Sequence, residues 1–377
     1  MPRDNYLTSA AALVAGIPFR LFARRAFPPP RKILILKPCC LSQVMLATPL
    51  LAALSNAYPK AQIDWAVCES ARAAVATNPR VSELIDSGRV GLAQGRWQDV
   101  SALIARLRQE QYDTCFIPSR SALLSYIAWR AHIPRRVGLD NVGRGFAHTL
   151  PVRVPQEPAH EAEHYLKLAA VVGIAEQPPM EFFPRDTDRA RTTERLVEEL
   201  DWLGDRPLVM LHPGGGQNPV RVDLRRQWPM ERFALLGNYL ARQHGALVLL
   251  VGGEMDRERA EAALGLMSVR AFNFAGTLTL GELGALAEIA DLYVGNDTGP
   301  THVAAAAGCP TLAIFGPTDP LISRPFVPPE RLATVACPPR DPFTWDDCVS
   351  VAEVSAAADR LLAARITKNP DSGLEEK

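Results

Sequence analysis

The run Val294-Gly-Asn-Asp-Thr-Gly-Pro-Thr-His302 carries residue types able to hold an anion. Pro300 suits the first turn of a helix, where its missing N–H would have had no partner. Asp297 or Thr298 can cap that helix, which leaves the N–H groups of Thr298 and Gly299 pointing outward. A bound diphosphate is one reading, and a plain capped helix with a glycine turn is the other. A second run, His212-Pro-Gly-Gly-Gly-Gln-Asn218, places Gly214, Gly215 and Gly216 in succession. Such a loop lets a ligand approach the backbone closely, at an entropic cost to folding. It is not a Walker A loop, because no Gly-Lys-Ser/Thr follows, and it lacks the third glycine of the dinucleotide fingerprint. Arg225, Arg226 and Trp228 lie just downstream, and an arginine there could clamp phosphate oxygens in pairs. In Val251-Gly-Gly-Glu254 a carboxylate follows a strand, where it could accept from ribose hydroxyls or simply start a surface helix.

Three further patterns have weaker claims. His160-Glu-Ala-Glu-His164 matches the His-Glu-x-x-His pattern, so Glu161 could activate water on a zinc held by His160 and His164. The only nearby third ligands are Glu176 and Glu181, in a proline-rich stretch. Asp186-Thr-Asp188 has the Asp-x-Asp form of a metal motif, but it falls between domains and reads as a solvated acidic turn. Asn296-Asp-Thr298 is formally a glycosylation sequon inside the presumed anion loop, which argues against its use.

These loops need strands to present them. From Lys32 onward, short β-rich runs alternate with helical patterns, the signature of βαβ units and parallel sheets. Strands are expected at 32–37, 62–68, 84–87, 114–118 and 136–139, then after residue 207 at 208–212, 246–252, 271–274, 292–295 and 311–315. Residues 153–158 and the proline-rich stretch after Asp319 read as loop. Residues 177–188, with three prolines and two phenylalanines, read as a linker. The expected organisation is an extension (1–30), a first Rossmann-like domain (31–180), a second (190–345), a final helix (346–366) and a disordered tail (367–377). In two doubly wound α/β domains facing across a cleft, ligands sit outside the carboxyl ends of the strands.

The bulk composition fits that organisation. The 377 residues exceed one ordinary core, and 47% of them are apolar. Forty-one basic residues balance 41 acidic ones, which removes the electrostatic case for nucleic acid. Seven scattered cysteines suit a reducing cytoplasm. Cys337 and Cys348 could pair or bind a metal, and ordinary thiols are the expectation. Residues 7–27 are apolar but broken by Gly16 and Pro18 and followed by Arg20, Arg24 and Arg25. That pattern does not span a membrane; it permits peripheral contact with the inner face of the cell membrane or a loosely packed extension.

The run Gly295-Asn-Asp-Thr-Gly-Pro-Thr-His-Val-Ala-Ala-Ala, with Ala313-Ile-Phe-Gly-Pro-Thr-Asp-Pro320, resembles glycosyltransferase family 9, the heptosyltransferases. Leu211-His-Pro-Gly-Gly, Gln227-Trp-Pro-Met-Glu231, Val251-Gly-Gly-Glu254, Phe274-Ala-Gly-Thr277, Ile33-Leu-Ile-Leu-Lys37, Ala47-Thr-Pro49 and Asn78-Pro-Arg-Val81 support the resemblance. It implies a GT-B fold with a nucleotide-sugar donor, expected to be ADP-linked, on the second domain. The acceptor, a glycan or lipid-linked sugar, would bind the first. Transfer would invert the anomeric centre and need no metal or other cofactor. By position, Asp297, Thr298, Gly299 and His302 would line the donor, Arg226 would replace a phosphate-binding lysine, and Glu254 would hold the ribose. The final helix would pack back on the first domain.

One position departs from that family. Its first signature ends in Leu-Gly-Asp-Val, and here Lys37-Pro-Cys-Cys-Leu-Ser-Gln-Val44 puts Gln43 where the proposed general base stands. A carboxamide cannot take a proton at neutral pH. Either another residue supplies the base, or the acceptor is already a good nucleophile, or the chain binds nucleotide sugar without transferring it.

Overall fold

The computed structural model describes residues 27–155 and 157–366. The two ends of the chain, including almost all of the basic extension and the whole tail 367–377, lie outside the described residues. The chain divides into two compact units between Pro178 and Pro179.

In the first unit a six-stranded parallel sheet has the order β3-β2-β1-β4-β5-β6. Its strands are β1 (Lys32–Leu36), β2 (Gln62–Val67), β3 (Glu83–Asp86), β4 (Thr114–Ile117), β5 (Arg135–Asp140) and β6 (Leu150–Arg153). The β1 run Lys-Ile-Leu-Ile-Leu is buried on both faces beyond its first residue, the pattern of a central parallel strand covered by helices on each side. The helices are α1 (Leu41–Met45), α2 (Thr48–Ala57), α3 (Glu69–Arg72), α4 (Trp97–Glu110), α5 (Ala122–Arg130) and α6 (Glu161–Ala170).

The second unit repeats the plan. It contains α7 (Asp186–Leu200), β7 (Leu208–His212), α8 (Met230–His244), β8 (Leu247–Leu250), α9 (Arg257–Gly265), β9 (Ala271–Asn273) and α10 (Leu280–Ile289). Then follow β10 (Leu292–Asn296), α11 (Gly299–Ala306), β11 (Thr311–Phe315), α12 (Pro320–Ser323), β12 (Leu332–Ala336) and α13 (Val351–Ile366). The sheet order is β9-β8-β7-β10-β11-β12, again all parallel. Each unit is thus a doubly wound sheet whose order reverses at one point, between β1 and β4 in the first and between β7 and β10 in the second. At such a point the loops leave adjacent strand ends for opposite faces and open a crevice.

Several expectations change. β6, which overlaps the expected loop 153–158 only at Arg153, and β12, in the proline-rich stretch after Asp319, were not expected as strands; both are edge strands with half-exposed side chains, so neither has the buried run that marks a central strand. Asp186 and Asp188 form no free acidic turn. They occupy the first turn of α7, where Asp188 Oδ2 accepts from the N–H of Arg185 at 3.0 Å. Helix α13 closes the core of its own unit. Its Val354, Ala357, Ala358, Leu361 and Leu362 are buried with Phe233, Leu312 and Ile314 of its own unit, against α8 and β12.

The cysteines differ from the thiol expectation as well. Cys337 and Cys348 are bonded, with Cα atoms 5.4 Å apart, because the intervening loop doubles back where the Trp345 indole donates to the carbonyl of Arg225. Cys39 is bonded to its neighbour Cys40. Cys68, Cys115 and Cys309 are buried thiols. Among the described residues no helix is long and apolar enough to cross a membrane.

Candidate donor and acceptor sites

In the second unit the loops after β7 and β10 flank the reversal point. Asn296, the last residue of β10 and fully buried, ties them together. Its amide nitrogen donates to the carbonyls of Gly214 (2.8 Å) and Pro213 (3.3 Å), while its oxygen accepts from the N–H of Trp228 (2.9 Å). A side chain so fully engaged leaves no free amide for glycosylation.

The hub of the site is Asp256, which the sequence did not single out. Its Oδ1 accepts from the N–H of Gly215 (2.8 Å), and its Oδ2 from the N–H of Gly253 (2.9 Å) and faces His212 Nε2 at 3.2 Å. Burial alone would push this carboxyl up. The His212 ring and the two backbone donors outweigh burial and hold it at about 2, so the side chain is a carboxylate at neutral pH.

The glycines owe their identity to this packing rather than to open space for a ligand. A Cβ on Gly214 would run into the Asp256 carboxylate. Gly215, at φ +98°, has the Thr298 methyl where its Cβ would be. Gly216 accepts from the N–H of Asp223 at 2.8 Å, closing the hairpin that leads to Arg226.

Arg226 ends a short 3-10 turn held in place by Trp228, whose indole donates to the carbonyl of Val349 at 2.8 Å. Its Nη1 reaches Asp297 Oδ2 (3.1 Å) and the Asp297 carbonyl (3.2 Å), and about a third of the side chain stays exposed. Asp297 is buried, and its Oδ2 also accepts from Thr318 at 2.8 Å. Arg226 thus neutralises a carboxylate that would otherwise repel an anion at this loop. Thr298 caps α11 with its backbone, and its hydroxyl lies 3.4 Å from His212 Nδ1. Gly299 begins the helix, whose first N–H groups have no intrahelical partner. His302 is fully buried, its two ring nitrogens 2.9 Å from the Thr298 carbonyl and 2.8 Å from that of Ser323, so it braces the loop from beneath. Glu254 is 72% exposed after β8, paired with Arg257 at 2.8 Å.

The first unit gathers its polar groups at its own reversal point. Lys37, just past β1, is buried and donates to Gln43 Oε1 (3.1 Å), the Pro118 carbonyl beyond β4 (2.9 Å) and the Tyr165 hydroxyl (3.0 Å). Tyr165 in turn donates to Gln43 Oε1 at 2.6 Å. Burial of the ammonium lowers Lys37 to about 8, against the pull of Glu161. Arg120 pairs with Glu161 at 2.6 Å.

The zinc reading does not survive this geometry. His160 Nδ1 caps α6 by accepting from the N–H of Ala162 (3.2 Å), and one of the two Glu161 oxygens accepts from Arg120. Glu176 is bonded to Asn56 at 2.8 Å. Among the described residues the group with metal-ligand spacing is Asp64, Glu83 and Glu110, which Lys32 and Arg106 already neutralise.

Comparison with known proteins agrees with this geometry. A family model described as glycosyltransferase family 9 (heptosyltransferase) matches residues 100–338. The chain is 26% identical over 297 residues to lipopolysaccharide heptosyltransferase 3 of Escherichia coli K12, covering 75% of this chain and 82% of that one. A family 9 glycosyltransferase from Veillonella parvula superposes with a TM-score of 0.76 at 22% identity, over 88% of this chain and 97% of the other. ADP-heptose lps heptosyltransferase II of E. coli superposes at 0.71 and 22% identity, over 89% and 99%. The repeated doubly wound sheet is therefore the GT-B fold, and with the matched profile spanning well over half its length, the chain belongs to the heptosyltransferases of glycosyltransferase family 9.

Proposed function

We propose that this glycosyltransferase moves a heptose from ADP-heptose to a sugar hydroxyl of a lipopolysaccharide core acceptor, with inversion and without a metal. The observation that carries this reading is the meeting of two loops at the reversal point of the second sheet. The N-terminus of α11 supplies unpaired N–H groups there, and Arg226 supplies the neighbouring cation, a combination suited to a diphosphate. Glu254, exposed at the end of β8, stands where ribose hydroxyls would be accepted. The donor and acceptor classes follow from the names of the related heptosyltransferases. A lipid-anchored acceptor would bring the protein to the inner face of the cell membrane.

The test is incubation of the full chain with ADP-heptose and heptose-deficient lipopolysaccharide, following ADP release and acceptor mass. A mass gain of one heptose supports the reading, and ADP-heptose left intact sinks it. Arg226→Met is expected to weaken ADP binding about 10- to 100-fold by calorimetry, the worth of charge-assisted hydrogen bonds to phosphate, while Arg226→Lys keeps most of the affinity. Equal affinity of Arg226→Met and wild type would remove Arg226 from the site.

A second reading has one observation in its favour: Gln43, at the family's base position, already accepts from both Lys37 and Tyr165. On that reading the chain binds nucleotide sugar without transferring it, and turnover of any activated sugar eliminates it.

A further inference from the structure

The carboxylate missing at position 43 has a counterpart in the same cluster. Glu161 opens α6, and His164 and Tyr165, three and four positions on, lie on the same helical face. Tyr165 touches both Gln43 and Lys37, and Glu161 lies near enough to act on the titration of Lys37 and Tyr165. The hydrogen-bonding capacity around Gln43 is largely spent. All three protons of the Lys37 ammonium are donated, to Gln43, Pro118 and Tyr165, and the Tyr165 proton goes to Gln43. A fully donating ammonium has no lone pair to offer as a base. Glu161 differs. Its Oε1 accepts from Arg120, but its Oε2 has no partner among the described residues, although the side chain is only 9% exposed. His164 Nδ1, on the same face, is likewise buried and unpartnered.

A buried carboxylate oxygen without a donor is costly, and native structures keep such groups where a ligand or a reaction uses them. We propose that Glu161 is the general base of this enzyme, its Oε2 receiving the proton of the acceptor hydroxyl in place of the carboxylate absent at position 43. This rests on the transfer reaction proposed above. As the acceptor oxygen forms its bond to the anomeric carbon, its proton passes to Oε2. The bond from that carbon to the phosphate oxygen breaks, and the nucleoside diphosphate leaves with the electron pair. Arg120 holds the other oxygen and fixes the direction of the free one. His164 is a positioning residue beside it.

The experiment compares wild type, Glu161→Gln, His164→Asn and the double variant Glu161→Gln/Gln43→Asp, with ADP-heptose and heptose-deficient lipopolysaccharide as substrates. ADP affinity and melting temperature report folding. General-base removal is expected to lower kcat of Glu161→Gln by about 10²- to 10⁴-fold with ADP affinity unchanged. Restoring a carboxylate at position 43 is expected to recover at least tenfold of that loss. If Glu161→Gln folds and transfers within threefold of an active wild type, the base assignment fails and the transferase reading stands. If His164→Asn loses the activity that Glu161→Gln keeps, the base is His164 and the assignment to Glu161 falls. An inactive wild type overturns both readings.

Discussion

Replacing Asp256 with alanine is expected to abolish measurable ADP binding and to cost the second unit at least about 3 kcal/mol. The change leaves three donors without their acceptor: the N–H groups of Gly215 and Gly253 and the His212 ring. An unsatisfied buried polar group costs about 1–3 kcal/mol, so the three together reach that figure even with relaxation. The binding effect follows because Gly215 and His212 set the loop that packs on Thr298, the cap of α11. Thermal unfolding and calorimetry would measure both, and a variant that melts and binds like wild type would remove Asp256 from the hub.

Asp256 also has an acid signature. Its folded-state value of about 2 lies below the ordinary 3.8, so its stabilisation is complete above pH 3.8 and is lost as pH falls through about 2. The difference in unfolding free energy between wild type and Asp256→Asn should therefore be largest above pH 4, on the order of 2 kcal/mol, and should close toward pH 2. A difference that stays constant across that window would contradict the assignment.

Gly215→Ala should be comparably damaging, at roughly 2–6 kcal/mol with ADP affinity falling more than 100-fold. Two costs add: about 1–3 kcal/mol for a side chain held at positive φ and about 1–3 kcal/mol for overpacking against the Thr298 methyl. The contrast is Gly245→Ala, at the end of α8. It shares the positive φ (+63°), but a Cβ there meets nothing within 4 Å, so only the first cost applies and the site is untouched. Equal melting temperatures and affinities for the two variants would show that the Gly215–Thr298 contact does not position the donor loop.

The parts of this site that could be read from the sequence were those written in consecutive residues. Glycines after a strand, a proline two residues past a threonine and a carboxylate after Gly-Gly each leave a local mark, and all lie on loops following strands. What stayed hidden is what tertiary structure assembles. Asp256 sits two residues beyond Glu254, with nothing local to show that it would bind a loop about 40 positions earlier. The glycines pointed to a close approach, but the approaching groups are Asp256 and Thr298. The engagement of Gln43 stayed hidden because Tyr165, which donates to it, comes from a helix 122 residues away. Glu161 read as part of a zinc pattern because periodicity shows a shared helix face, not the Arg120 that claims one of its oxygens. β6 and β12 were missed for a plainer reason: edge strands need not bury both faces, so their sequences do not alternate or run apolar as central strands do.

If the two loops at the reversal point of the second sheet hold the diphosphate of an ADP-linked donor, calorimetric titration of the full chain with ADP, GDP, UDP, CDP and dTDP, without added metal, is the most direct test. Selective binding of ADP, weakened by Arg226→Met and lost in Asp256→Ala, is the expected result. Binding of none of the five, or of another nucleotide with ADP silent, would contradict it.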